Sequence, residues 1–186
     1  MSKKVSFTSM DQGTQADYDL VNEYHHMDGK KLAARALDWM RMMDDADSPY
    51  QISRLEHCLQ TATRAEDDGA DGETIACALL HDIGDVIAPA NHSQVAAAML
   101  APYVSEKNHW IIRHHGLFQG YYYFHYMGQD RHARERHKDH PYYQACVDFC
   151  ANWDQTSFDP SYDTRPLEYF EPLVVELFSR EPAPFV

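Results

Sequence analysis

The sequence lacks the marks of several large classes of protein. No stretch approaches the ~20 apolar residues that a membrane-spanning helix requires, and the first residues carry two lysines but no apolar segment of the kind found in secretory leaders. Basic residues are also scarce, since 16 lysines and arginines stand against 29 aspartates and glutamates, giving a net charge of −13. Such a surface repels phosphate backbones and anionic lipid headgroups. We therefore expect a cytoplasmic protein with no nucleic-acid partner and no membrane partner.

Cysteine pairs and β-strand patterns are missing as well. The four cysteines show no CxxC spacing, and each lies in a segment with a helical pattern, so we interpret them as reduced packing residues. Apolar residues recur at helical spacing along most of the chain. The predicted helices cover approximately residues 30–43, 52–65, 71–84, 91–100, 105–115, 142–154 and 165–179. We predict an all-α fold, a single compact helical bundle over residues 29–186 that follows an irregular N-terminal arm over residues 1–28.

Histidine, in contrast, is abundant, with 12 residues in this chain, and it is the commonest metal ligand in proteins. His81 and Asp82 follow the most apolar helical run, residues 75–80. A carboxylate at that point faces the negative end of the helix dipole, and burying it without a partner costs several kcal/mol. A bound cation would remove both costs. The alternative is a solvated Asp82 just beyond the end of the helix.

A second carboxylate, Asp154, lies on the apolar stripe of a predicted helix. Tyr143, Val147, Cys150 and Asp154 are separated by four, three and four residues, which places them on one helix face. Carboxylates rarely lie on a core-facing stripe without a partner. Asp154 is therefore a candidate metal ligand, with a buried salt bridge and a helix N-cap as the alternatives.

Four further histidines are candidates whose spacing is less informative. His57 lies off the apolar stripe of its helix and would by itself be interpreted as a surface residue. His92 lies in the first turn of a predicted helix, where it could serve as an accessory cap. Either His114 or His115 could face the core, because both follow apolar residues at helical spacing. Periodicity does not choose between them.

Taken together, the candidates offer four histidines and two carboxylates without a thiolate. This mixture of nitrogen and oxygen ligands suits Fe, Mn, Co, Ni or Zn and disfavours Ca or Mg. Six ligands exceed the number that one tetrahedral ion uses. If Asp82 bridges, two ions share the site, and such a pair can activate either hydroxide or dioxygen.

The ordered candidates resemble the HD-domain superfamily of helical metalloenzymes. The stretches that carry the resemblance are LEHCLQTA, ALLHDIGD, NHSQVAA, IIRHHGLFQ and NWDQ. The resemblance implies a compact HD-domain helical bundle in which His81 and Asp82 form the catalytic centre. It implies that the first metal is bound by His57, His81, Asp82 and Asp154. It further implies that Asp82 bridges to a second metal held by His92 and His115, so that His115 is preferred over His114.

Within the superfamily, IIRHHGLFQ and NWDQ make the chain most similar to the mixed-valent diiron oxygenases, the group of myo-inositol oxygenase and of the enzymes that cleave hydroxylated aminophosphonates. That similarity implies two Fe ions, Fe(II) and Fe(III), with O2 as co-substrate. The small-molecule substrate implied is a 1-hydroxy-2-(ammonio or trimethylammonio)ethylphosphonate, cleaved at its carbon-phosphorus bond in organophosphonate breakdown. The same ligands also fit metal-dependent phosphohydrolases that act on a phosphate ester or nucleotide. A degenerate binding module is disfavoured because all six ligand positions are filled. Nothing in the sequence fixes the number of subunits.

Departures from the family pattern suggest candidate substrate-binding residues. Asp85 directly follows the HDxG motif, at a position where relatives often have a basic residue, and Gln119 stands where a lysine helps to bind phosphonate. Tyr50, seven residues before His57, is a possible lid, although a plain turn residue is the alternative. Tyr123 belongs to an aromatic cluster that either packs against the core or encloses a substrate cation. The nearest basic residues that could bind an anionic group of the substrate are Arg113, Arg131 and Arg134. The alternative for each is a solvated charge on a helix or loop.

Overall fold

The computed structural model describes residues 3–29, 31–45 and 48–183, and within them the chain is helical with no β-strand. The α-helices are α1 (Gln15–Gly29), α2 (Leu32–Met42), α3 (Arg54–Asp67), α4 (Gly72–Leu80), α5 (His92–Leu100), α6 (Glu106–Tyr123), α7 (Tyr143–Phe149) and α8 (Leu167–Ser179). The all-α prediction is confirmed. Lys30, where the first predicted helix begins, lies outside the described residues.

Helix α4 lies at the centre of the bundle. After its first turn, from Ile75 to Leu80, its side chains are apolar on every face, and the helix packs against α3, α6 and α8. Leu79 and Leu80 are fully buried, as is expected of a helix without a solvent-facing side. The site that follows at its C-terminal end is therefore anchored in the core. Among the described residues, no helix combines the length and the apolar character that crossing a membrane requires.

The helices α3, α4 and α6, which carry or precede four of the candidate ligands, begin at well-formed N-caps. The side chains of Ser53, Asp71 and Ser105 each accept a hydrogen bond from the backbone N–H three residues later. Such caps satisfy donors that the first helical turn leaves unpaired. They fix the starts of α3, α4 and α6, and hence the positions of the candidate ligands that these helices carry or precede.

The N-terminal segment predicted to be an irregular arm, residues 1–28, is not irregular throughout, because its residues 15–28 belong to α1. Asp17 holds the start of this helix, because its carboxylate accepts hydrogen bonds from the backbone N–H of Ser6 at 2.7 Å and of Thr14 at 3.0 Å. These donors hold the pKa of Asp17 well below its usual range. No described residue before Leu32 belongs to the shared hydrophobic core or packs against it. The division between an arm and a domain stays a prediction.

A close backbone contact sets the position of α5. Gly84 lies in a short 3₁₀ turn (Ile83–Val86) after α4, and a Cβ atom at this position would lie 2.3 Å from the carbonyl oxygen of His92. The sequence pattern suggested that Gly84 ends α4, but that helix already ends at Leu80. The glycine instead lets α5 approach the end of α4 closely enough to place His92 over Asp82.

Helix α7 continues as a π-helical segment, Cys150–Asp154. A π-turn contains more residues per turn than an α-turn and is frequent at functional sites. Asp154 is the last residue of this segment and is buried, as its place on the apolar stripe predicted.

Candidate metal centre

All six predicted ligands converge at the C-terminal end of α4. Helix α3 contributes His57, and the residues that follow α4 contribute His81 and Asp82. The other three ligands are His92 from the first turn of α5, His115 from α6 and Asp154 from the π-helical segment.

The four imidazoles share one hydrogen-bonding pattern. In each of them Nδ1 lies 2.7–3.0 Å from a backbone carbonyl oxygen, to which only an N–H can donate. The acceptors are the carbonyls of Ser157, Ala78, Pro89 and Ile112, for His57, His81, His92 and His115 respectively. A neutral imidazole that carries its proton on Nδ1 presents a lone pair on Nε2. Every Nε2 is thereby prepared to bind a metal ion.

The two carboxylate oxygens of Asp82 divide between two pairs of histidines. Its Oδ2 lies 3.5 Å from Nε2 of His57 and 3.4 Å from Nε2 of His81. Its Oδ1 lies 3.2 Å from Nε2 of His92 and 3.1 Å from Nε2 of His115. The Nε2 atoms of His57 and His81 are only 3.2 Å apart. The lone pairs of these nitrogen and oxygen atoms face one another at distances that suit a cation between them, with one such place on each side of Asp82.

Asp154 completes the first of these two groups. Its Oδ1 lies 3.3 Å from Nε2 of His57 and accepts a hydrogen bond of 2.9 Å from Nε2 of Gln119. Its Oδ2 is buried and has no hydrogen-bond partner among the described residues. A buried carboxylate oxygen without a partner is costly. One ligand atom from each of His57, His81 and Asp154 lies within 4.8 Å of the others, with Oδ1 of Asp154 facing both imidazoles, so the residues present fit a metal at this position.

The charges of the centre favour a bound cation. Burial raises the pKa of Asp82, but His81 and His115 outweigh this effect and hold the pKa well below its usual range. Burial lowers the pKa of His81, while Asp82 and Asp154 raise it, and the net shift is upward. The carboxylates thus attract positive charge, which a metal ion supplies without placing a proton on an Nε2 atom that faces the centre.

A cavity of about 360 Å³ lies over the centre. All the ligands except the fully buried His81 line it. Four of the predicted substrate-binding residues also line it, namely Tyr50, Asp85, Gln119 and Tyr123. The volume lies within the range of small-molecule sites, and five ligand side chains form part of the wall.

The three predicted anion-binding arginines are not among the residues that line the cavity. Arg113 is exposed on α6. Arg131 and Arg134 pack over the ring of Tyr121, with their guanidinium carbons 4.4 and 3.9 Å from its centroid. Tyr121 is absent from the cavity wall too, so these two arginines pack on a ring that lies outside the cavity.

Seven residues of the cavity wall are not among the site residues predicted from the sequence, and Arg54, Tyr122 and Phe158 are the largest of them. Arg54 precedes His57 by three residues, which places both on one face of α3, and that spacing was a signal that could have identified it. The ring of Phe158 stacks on His57 with centroids 4.4 Å apart, and the ring of Tyr50 packs against Phe158 at a tilt of 41° with centroids 4.9 Å apart. No helical pattern covers Phe158, because it lies after the π-helical segment.

Asp85 connects the cavity wall with the metal centre. Its Oδ1 lies 3.3 Å from Nδ1 of His92, and its Oδ2 lies 3.6 Å from Nε of Arg54. Burial, followed by the charge of Asp82, raises the pKa of Asp85. Asp85 thus faces the cavity while contacting both His92 and Arg54. Among the described residues, Arg54 is the one lysine or arginine that lines this cavity.

The sequence pattern of the HD domain matches residues 54–149, just over half of the chain. The match begins at the first residue of α3, ends with α7 and includes every candidate ligand except Asp154. No curated protein matches the chain significantly. The matched segment coincides with the helices that carry the metal centre, and we conclude that the chain belongs to the HD-domain family, whose members are generally metal-dependent enzymes.

Proposed function

We propose that the protein is a mixed-valent diiron oxygenase that uses dioxygen to cleave the carbon-phosphorus bond of a small hydroxylated phosphonate. One observation carries the proposal: the oxygens of Asp82 divide between two histidine pairs, as a carboxylate does when it bridges two ions. Nitrogen and oxygen ligands without a thiolate suit iron. When bound, an Fe(II)/Fe(III) pair would activate dioxygen and chelate the hydroxyl group of the substrate.

The cavity wall supports a zwitterionic substrate, a 1-hydroxy-2-(ammonio or trimethylammonio)ethylphosphonate. Asp85 offers a carboxylate that the six-ligand centre does not need, and the rings of Tyr50, Tyr123 and Phe158 offer faces for an ammonium group. Each contact between a cation and an aromatic face contributes about 0.5–2 kcal/mol. Arg54 offers the opposite charge, and a guanidinium is well suited to phosphonate oxygens.

A metal-dependent phosphohydrolase acting on a phosphate ester or nucleotide is the second candidate. Arg54 in the cavity wall also favours this function, because a guanidinium can hold a phosphate ester beside a pair of metal ions. The two functions differ in the metals they use and in their need for dioxygen.

The test is to load the protein with iron without oxygen, oxidise it partly and record its EPR spectrum. An antiferromagnetically coupled Fe(II)/Fe(III) signal is expected, together with dioxygen uptake that depends on the hydroxyphosphonate and matches the phosphate released. The Asp82→Asn variant, in which an amide replaces the bridging carboxylate, should lose both. Hydrolysis of phosphate esters with Mn or Co, without any dioxygen uptake by the iron-loaded protein, would instead establish the phosphohydrolase.

A further inference from the structure

Gln119 lines the cavity one helical turn after His115 and has an unusual pair of hydrogen-bonding groups. Its Nε2 donates to Oδ1 of Asp154 at 2.9 Å. Its Oε1 is buried, and no donor among the described residues reaches it. One end of the amide is therefore occupied by a candidate metal ligand, while the other end is an acceptor without a partner.

The orientation of this amide follows from the chemistry of its neighbour. An ionised carboxylate only accepts hydrogen bonds, so the NH₂ group of Gln119 must face Asp154 and the carbonyl oxygen must face away. The reverse orientation would place two acceptors 2.9 Å apart. Gln119 thus presents an acceptor as its free group, whereas a lysine at this position would present only donors.

Leaving a buried carbonyl oxygen without a donor is unfavourable, and a ligand that supplies a donor removes that penalty. A ligand that places an anionic oxygen there adds a second acceptor and is rejected, because sites built for one hydrogen-bonding partner discriminate strongly against its opposite. The guanidinium of Arg54, elsewhere in the same wall, is the group suited to an anion.

We infer that Gln119 determines specificity by accepting a hydrogen bond from a hydroxyl or ammonium group of the substrate beside Asp154, and that it excludes an anionic group from this place. The inference rests on the proposed function and adds an orientation: one donor group of the substrate lies at α6, and its anionic group lies toward Arg54. Gln119 acts by contacting the substrate, and its bond to Asp154 sets its direction.

The test measures binding of two probes to the metal-loaded protein by calorimetry. Ethanolamine supplies hydroxyl and ammonium donors, and sulfate is an anion without donors at neutral pH. Gln119→Lys keeps a donor for Asp154 but removes the acceptor. It should weaken ethanolamine binding by about tenfold or more and strengthen sulfate binding, since a hydrogen bond to a charged group contributes about 1.5–3 kcal/mol.

Two controls separate this effect from damage to the centre. Gln144 on α7 donates to Asp148 in the same way, at 2.8 Å, but on the surface, so Gln144→Leu should leave both affinities unchanged. The metal content of Gln119→Lys must equal that of the unaltered protein before its affinities are compared. If this variant, fully loaded, binds ethanolamine as tightly as the unaltered protein, the inference is overturned.

This outcome is independent of the oxygenase assay, because no turnover is measured. A switch of preference without dioxygen uptake would uphold the role of Gln119 and reject the oxygenase. Dioxygen uptake without a switch of preference would do the opposite.

Discussion

The candidate metal centre has an inner half, formed by His57, His81 and Asp154, and an outer half, formed by His92 and His115, with Asp82 between them. The side chains of the inner half are 7%, 0% and 3% exposed, and that of His115 is 2% exposed, whereas that of His92 is 26% exposed and alone gives the outer half its access to solvent. Core elements hold the inner half, so displacing it would disrupt packing. The short 3₁₀ turn after α4 positions His92, the ligand at the edge of the outer half. We therefore expect the first metal to be held firmly and the second to be exchanged more easily.

The largest effect is expected where the two halves meet. Asp82→Asn removes the charge that both ions share, and metal affinity should fall by at least about 100-fold, since loss of an outer hydrogen-bond partner alone costs 10- to 100-fold. Metal content after gel filtration measures this loss. Asp148→Asn, which changes an exposed carboxylate on α7, should keep its metals. Full occupancy in Asp82→Asn would show that the halves are independent sites.

The second prediction separates the halves directly. His92→Ala should remove one metal equivalent and leave the other, because the ligands of the inner half remain complete. In the unaltered protein a chelator should release the second metal first, since its ligand His92 is the more exposed. Metal analysis at increasing EDTA concentration follows the order of release. Simultaneous release, or earlier release from the inner half, would contradict the comparison.

The third prediction concerns the turn that supports the outer half. Gly84→Ala places a methyl group 2.3 Å from the carbonyl oxygen of His92. The backbone must shift, which should cost about 1–3 kcal/mol of unfolding free energy and weaken binding of the second metal more than the first. Chemical denaturation and metal analysis measure the two effects. Gly29→Ala is the control, because no neighbouring atom lies within 4 Å of its added carbon; equal stabilities would refute the argument from close contact.

The smallest expected effect is on stability and concerns the hydrogen bonds that join the start of α4 to the start of α6. Glu73 in the first turn of α4 accepts hydrogen bonds from the backbone N–H of Ser105 at 2.7 Å and from Asn108 at 2.9 Å, both at the start of α6, and from Arg180. Burial raises the pKa of Glu73, but these donors outweigh it and lower the pKa from 4.5 to about 2. Its contribution to stability is therefore complete above pH 4.5 and is lost as the pH falls toward 2.

Glu73→Gln should accordingly reduce stability at neutral pH by about 1 kcal/mol and flatten the dependence of stability on pH between 4.5 and 2. Thermal unfolding at several pH values measures both. Glu168→Gln, at an exposed carboxylate in the first turn of α8, should leave the pH dependence as it is. An unchanged pH profile in Glu73→Gln would show that this link does not stabilise the fold.

The sequence was sufficient to predict the helical fold, because apolar residues recur at helical spacing and the caps at Asp71 and Ser105 have a local signature. It was insufficient for α1, since that helix is only weakly amphipathic and its start depends on Ser6, a partner distant in sequence. A choice between His114 and His115 required the family resemblance. In the structure His115 faces Asp82, whereas His114 stacks on Trp110 with centroids 4.3 Å apart.

The choice of the basic residue in the cavity required three-dimensional information. Arg131 and Arg134 follow the ligand helix in sequence, but the ring of Tyr121 holds them outside the cavity wall. Arg54 precedes the first ligand and reaches the wall because it shares a helix face with His57. Proximity to a ligand helix along the chain is therefore not sufficient to identify the arginine that lines the cavity.

The π-helical segment Cys150–Asp154 makes the centre sensitive to the winding of the backbone as well as to the identity of its ligands. A π-turn contains more residues than an α-turn, and each residue advances an α-helix by about 100°. If the same residues returned to ordinary α-helical winding, Asp154 would turn away from His57 and its carboxylate would leave the site. The winding of this segment is thus as much a part of the candidate binding site as the ligand at its end.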